Sequence, residues 1–79
     1  MPDMVHVDSV SIDAIGYDAD RRELHVRFVS GETYVYSGVP ADVFDAFASA
    51  PSKGGFVNRE IKPAYPFTKL RVGSVGPDA

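Results

Sequence analysis

The chain has 79 residues, a formal net charge of −3, 44% apolar and 11% aromatic content, and no cysteine. One small domain with a core fits that length and composition, while disulfides and thiolate metal sites are excluded. Two imidazoles, His6 and His25, are too few for a structural zinc site, so neither metal nor cofactor is expected. No apolar run nears the roughly 18 residues of a membrane span and no signal segment opens the chain, so a cytoplasmic protein with no membrane association is expected.

Little periodicity marks either end, so residues 1–8 and 73–79 are expected to be flexible around a domain at 9–72. A first strand is expected over about Val10 to Tyr17, with Val10, Ile12 and Ala14 on one side and Ile15 and Tyr17 on the other. Gly16 points to a bulge or a close backbone approach. Asp18-Ala19-Asp20-Arg21 has turn character. A second strand follows from about Arg22 to Val29, and a third from about Glu32 to Ser37. The short connections imply an antiparallel meander.

Ser30-Gly31 sets the register of the second and third strands. A two-residue turn would place position 27 opposite 34 and 25 opposite 36. Tyr34 and Tyr36 would then join Arg27 and His25 on the polar face, as a base-stacking platform. Ser fits the first position of such a turn poorly. A three-residue loop, Val29-Ser30-Gly31, fits better, with Gly31 in the left-handed region as a bulge. Position 26 then opposes 34 and 24 opposes 36, which puts both tyrosines with Leu24, Val26 and Phe28 in the core.

Gly38-Val39-Pro40 ends the third strand, and Pro40 suits the first turn of a helix. Asp42 favours the helix N-terminus, and Val43, Phe44 and Phe47 recur at helical spacing. Ala50-Pro51 ends this helix. Ser52 is the expected N-cap of a second helix, about Lys53 to Lys62, with Phe56, Val57 and Ile61 on its apolar face. After Pro63 the chain from Ala64 to Leu70 is expected to be extended. The fold class is α+β: a three-stranded antiparallel β-meander with two α-helices packed on one face.

The Tyr-x-Tyr hairpin, the Val39-Pro40 helix start and the run S-K-G-G-F-V-N-R-E-I-K-P-A-Y-P-F-T-K-L together resemble the KTSC domain. That family takes its name from the C-terminus of some lysyl-tRNA synthetases and also includes small stand-alone bacterial and phage-type proteins. The likeness covers about residues 9 to 70. Ser52, Lys53, Gly54, Phe56, Asn58, Ile61, Tyr65, Pro66 and Leu70 fall on the family pattern, while Val57 stands where an aromatic is common. The resemblance implies a stand-alone module and makes RNA a partner to expect. Synthetase catalytic and anticodon-binding domains are absent, so tRNA charging is not expected.

Charge is unevenly spread. Residues 1–51 hold three basic and nine acidic side chains, whereas 52–71 hold Lys53, Arg59, Lys62, Lys69 and Arg71 against Glu60. Such asymmetry marks either a nucleic-acid face or a pair of solvated helix faces. Lys53, Asn58, Arg59, Lys62 and Lys69 are the candidate nucleic-acid contacts, with Tyr65 as a candidate aromatic contact. Ser52-Lys53-Gly54-Gly55 departs from a P-loop, because Ser precedes Lys and a helix precedes the loop. It reads as a cap and tight turn, or as a site for a single phosphate. His25 reads as a surface residue, and Asp18 and Asp20 as turn residues. No acid–base pair or nucleophile triad is present, so no enzyme and no catalytic residue is expected. The expected function is a small non-catalytic binding module. Its ligand is RNA or single-stranded nucleic acid held by the basic 52–71 region, or alternatively a protein partner with no nucleic-acid role.

Overall fold

The computed structural model describes residues 4–7 and 9–70. The tail expected over 73–79 lies outside the described residues, as does Arg71. The fold is α+β, but the antiparallel sheet has five strands rather than three: β1 (Val5–His6), β2 (Ile12–Asp18), β3 (Glu23–Phe28), β4 (Thr33–Ser37) and β5 (Phe67–Leu70), in the spatial order β1-β2-β3-β4-β5. The two added strands have separate causes. β1 is two residues long and carries no period to read. β5 was legible as extended chain, but its pairing with β4 forms only after the helices bring the chain back to that edge.

Gly31 fixes the β3–β4 register. Its φ is +98°, where an L side chain is strained. Its N–H donates to the Phe28 carbonyl at 2.8 Å, and the Phe28 N–H donates to the Glu32 carbonyl at 2.8 Å. Val26 therefore opposes Tyr34, and Leu24 opposes Tyr36, as the three-residue loop requires. Tyr36 is fully buried and Tyr34 half-buried against the core.

The bulge in β2 lies at Asp13 and not at Gly16, which pairs regularly with His25. The pairing steps from Ile12 opposite Phe28 to Ala14 opposite Arg27. One extra residue reverses the alternation, so Ile12, Ile15 and Tyr17 all share the face of Leu24 and Val26. Val10, expected on one side of the strand with Ile12 and Ala14, is 98% exposed. Asp13 itself turns to the other face, where it accepts from Arg27 Nε at 2.9 Å and lies 3.5 Å from His6 Nδ1.

Helix α1 (Ala41–Ser49) starts after Pro40, whose extended backbone (φ −68°, ψ 157°) occupies the N-cap. Phe47 is its buried anchor, with Val43 and Phe44 packed partly against the core. The Tyr17 hydroxyl ties the β4–α1 connection by donating to the Val39 carbonyl at 2.5 Å. Helix α2 (Lys53–Phe56) has Ser52 as its N-cap, accepting from the Gly55 N–H at 3.2 Å. It continues as one wide π-helical turn, Val57–Ile61, closed by the Lys62 N–H on the Val57 carbonyl at 2.8 Å. Val57 and Ile61 point inward. The core joins one sheet face to the helices through Ile12, Ile15, Leu24, Val26, Tyr36, Val39, Phe47, Val57 and Ile61.

Candidate nucleic-acid interface

Two adjoining clefts run along the α2 segment on the helix side of the sheet. Ser11 forms part of both walls. The first, about 430 Å³, is lined by Ser9, Ser11, Ser52, Lys53, Gly54 and Asn58, among others. The second, about 330 Å³, lies between the β3–β4 loop and Lys62, with Phe28, Glu32 and Tyr34 on its walls.

One glycine lets the helix sit this close to Ser11, and a second makes room for side chains of the helix segment itself. A Cβ at Gly54 would come 2.6 Å from Ser11 Oγ, inside van der Waals contact. A Cβ at Gly55 would meet an Arg59 guanidinium nitrogen at 2.8 Å and Ser52 Oγ at 2.9 Å. Arg59 thus folds back over the first turn of α2 through space that a side chain would fill. Lys53 has another duty, because its ammonium donates to the Ala50 carbonyl at 2.6 Å and closes the end of α1. Asn58, Arg59 and Lys62 are exposed. Lys69 pairs with Glu32 at 2.6 Å, both about half-exposed, and such a pair contributes only about 0–1 kcal/mol.

Lys53 lines the first cleft, and Arg59 lines neither. Asn58 and Lys62 face successive clefts, and Lys69 reaches the second through Glu32. The domain identity is decided by a match over most of the chain: residues 8–65 fit the KTSC domain family. The chain belongs to the KTSC domain family. It is 45% identical over 62 residues to a protein from Tsukamurella paurometabola, covering 78% of this chain and 92% of that one. It is 36% identical over 59 residues to a lysine–tRNA ligase of Nostoc punctiforme, covering 75% of this chain and 10% of that protein. The crystal structure of a KTSC domain protein from Yersinia pestis superposes with a TM-score of 0.86 at 38% identity, covering 90% of this chain and all of that one.

In this KTSC domain, Tyr65 packs half-buried against the core and lines neither cleft. Phe67, two residues from Lys69, lines neither cleft either but is 50% exposed. Its ring stacks on Tyr34 at 4.9 Å between centroids and 23° between planes. Phe28 meets Tyr34 edge-on at 5.3 Å. Phe67 was not singled out in the sequence. The signal for it was the period of two between Phe67 and Lys69, which places both on the face of Tyr34 and Tyr36 once β5 is paired. Among the described residues, no group of three or more His, Asp or Glu side chains is placed to hold a metal ion. No helix among them is long and apolar enough to cross a membrane.

Proposed function

We propose that this KTSC domain is a small non-catalytic module that binds single-stranded nucleic acid, RNA above all, along the clefts of the 52–71 region. The observation that supports this reading is the half-exposed Phe67 ring, stacked on Tyr34 and two residues from Lys69 on the same strand face, with Lys62 on the far side of the cleft that Tyr34 lines. A single strand needs two things from a protein: cations that follow the phosphates and a π-face for an unpaired base. Asn58, Arg59 and Lys62 supply polar and cationic contacts along the α2 segment, and Phe67 supplies the face. The phosphate contacts give affinity without sequence choice. The match to a segment of a lysine–tRNA ligase supports RNA as the class.

Fluorescence anisotropy with labelled single-stranded RNA and with tRNA, at low and moderate salt, tests the reading. Wild type is expected to bind weakly, with affinity falling steeply as salt rises. Lys53→Glu/Arg59→Glu/Lys62→Glu should bind at least ~10-fold more weakly, with a shallower salt slope. Phe67→Ala should cost about 1–3 kcal/mol of binding, the range for one stacked base. Equal affinity for wild type and both variants overturns this site. No binding by wild type at tens of micromolar moves the choice to the protein-interaction reading. That reading draws support from β5, which stands at the sheet edge among the described residues and so presents a backbone edge for strand addition.

A further inference from the structure

The sheet face turned away from the helices holds a third concavity, lined by none of the residues of the clefts above. It has a volume of about 400 Å³ and is lined by Asp18, Arg21, Glu23, His25, Ser37 and Thr68, with Val35 and Leu70 as apolar wall. That volume lies within the range of small-molecule sites. His25 is part of its wall. The residue is 5% exposed, and neither ring nitrogen has a hydrogen-bond partner among the described residues. The nearest charged atom is Glu23 Oε1, 3.8 Å from Nε2, beyond hydrogen-bond reach. A buried polar ring without partners is uncommon and calls for an explanation.

Pairing explains the charge of the cavity. Asp18 and Glu23 stand directly opposite each other across β2 and β3, and like charges in that relation repel. Arg21 lines the rim but is exposed, and its backbone N–H, not its guanidinium, is what binds Asp18 Oδ1, at 3.2 Å. The next row of the same face runs Gly16, His25, Val35 and Thr68 across four strands. One end of the cavity is therefore rich in hydrogen-bond acceptors, and the other is walled by Val35 and Leu70.

We propose that this cavity binds a primary ammonium carried on an apolar stem. The ammonium has three N–H donors and no acceptor, which suits two carboxylates and the lone pair of a neutral imidazole. The stem lies against Val35 and Leu70. A quaternary ammonium offers no N–H, and an alcohol offers no charge, so both should bind worse than the amine.

NMR titration of the full chain at pH 7.5 and constant ionic strength tests this, with n-butylammonium, n-butanol and a short lysine-bearing peptide as probes. The expected result is saturable shifts of the His25 ring signals and of the Val35 and Thr68 amides with n-butylammonium. Affinity for n-butanol should be at least tenfold lower. Glu23→Gln, which keeps shape and removes charge, should weaken the amine at least tenfold, and His25→Val should abolish the ring-centred response. Tighter binding of the peptide than of the free amine assigns the ammonium to a partner's lysine side chain; the reverse assigns it to a small molecule. Equal responses to amine and alcohol, or an unchanged affinity in Glu23→Gln, overturn the proposal. Phe67→Ala should leave amine binding intact, so the result stands apart from that of the RNA experiment.

Discussion

The two faces of the sheet solve opposite problems. On the helix side, the charged groups sit at the rim of the clefts, exposed or paired, above a floor of Ile12, Val57, Ile61 and Tyr36 in which the Tyr36 hydroxyl is a single buried polar atom without a partner. On the other side the charges stand at the rim too, but a polar ring, His25, is buried beneath them without a partner. The rim of the helix side can be edited without threatening the fold, because exposed ion pairs contribute little. Neither its floor nor the buried row of the opposite face has that freedom.

The floor gives the largest expected effect. Tyr36→Ala should destabilise the domain by about 3–5 kcal/mol, the range for emptying a buried aromatic site, read by denaturant unfolding. Tyr36→Phe sharpens the point. The Tyr36 hydroxyl is buried with no hydrogen-bond partner among the described residues, and burial pushes its pKa up. Removing an unsatisfied hydroxyl should be neutral or stabilising. A loss above ~1 kcal/mol in Tyr36→Phe would mean that the hydroxyl is satisfied in solution.

The contact between helix and sheet comes next. Gly54→Ala places a Cβ against Ser11 Oγ, while Ser11 Cβ would remain 3.9 Å away. Overpacking of this kind costs about 1–3 kcal/mol, against a gain of up to ~1 kcal/mol in helix propensity. Gly54→Ala alone should therefore destabilise. The double variant Ser11→Ala/Gly54→Ala should recover most of the loss, with a coupling of about 0.5–3 kcal/mol. Additive effects would show that the two residues do not touch.

The rim itself should respond in binding alone. Lys62→Glu/Lys69→Glu should change unfolding free energy by no more than ~0.5 kcal/mol, as surface substitutions usually do, while RNA affinity falls at least ~10-fold. A parallel loss of both would mean that the rim is part of the core's support and that the contrast between the faces fails.

How much of this was legible in the sequence depended on where the determining contact lay. Gly31 announced its own backbone conformation, and with it the register that sends Tyr36 inward. Pro40 and Ser52 marked helix starts through their own chemistry. The bulge at Asp13 has no residue requirement; it arises from pairing with Phe28 and Arg27, and the glycine nearby drew attention instead. The π-helical turn after Phe56 is equally silent, since no residue type demands an i to i−5 bond. The basic residues of the candidate site could be named from charge, but Phe67 could not, because its value depends on lying beside Tyr34. His25 was misread for a related reason. Alternation correctly placed it opposite Leu24 and Val26, but a period of two cannot say whether that second face is open to water.

His25 supplies the smallest expected effect and the most direct probe of that second face. Burial pushes its pKa below the usual 6.5, and the neighbouring Glu23 carboxylate offsets part of that shift, as Asp18 does more weakly. The unfolded chain therefore takes up a proton near pH 6.5 that the folded chain still refuses. Stability must fall as pH drops from about 7 through 6.5 toward the folded-state value, and level off below it. His25→Val keeps a side chain suited to a strand and removes the titrating ring. Thermal unfolding of wild type and His25→Val between pH 8 and pH 5 should show the wild type losing stability relative to the variant as the pH falls, whichever of the two is the more stable at neutral pH. His6 is common to both proteins, so the difference isolates His25. Parallel curves would show that the ring is as well solvated in the folded state as in the unfolded one, and the two faces of the sheet would then differ in shape but not in polarity.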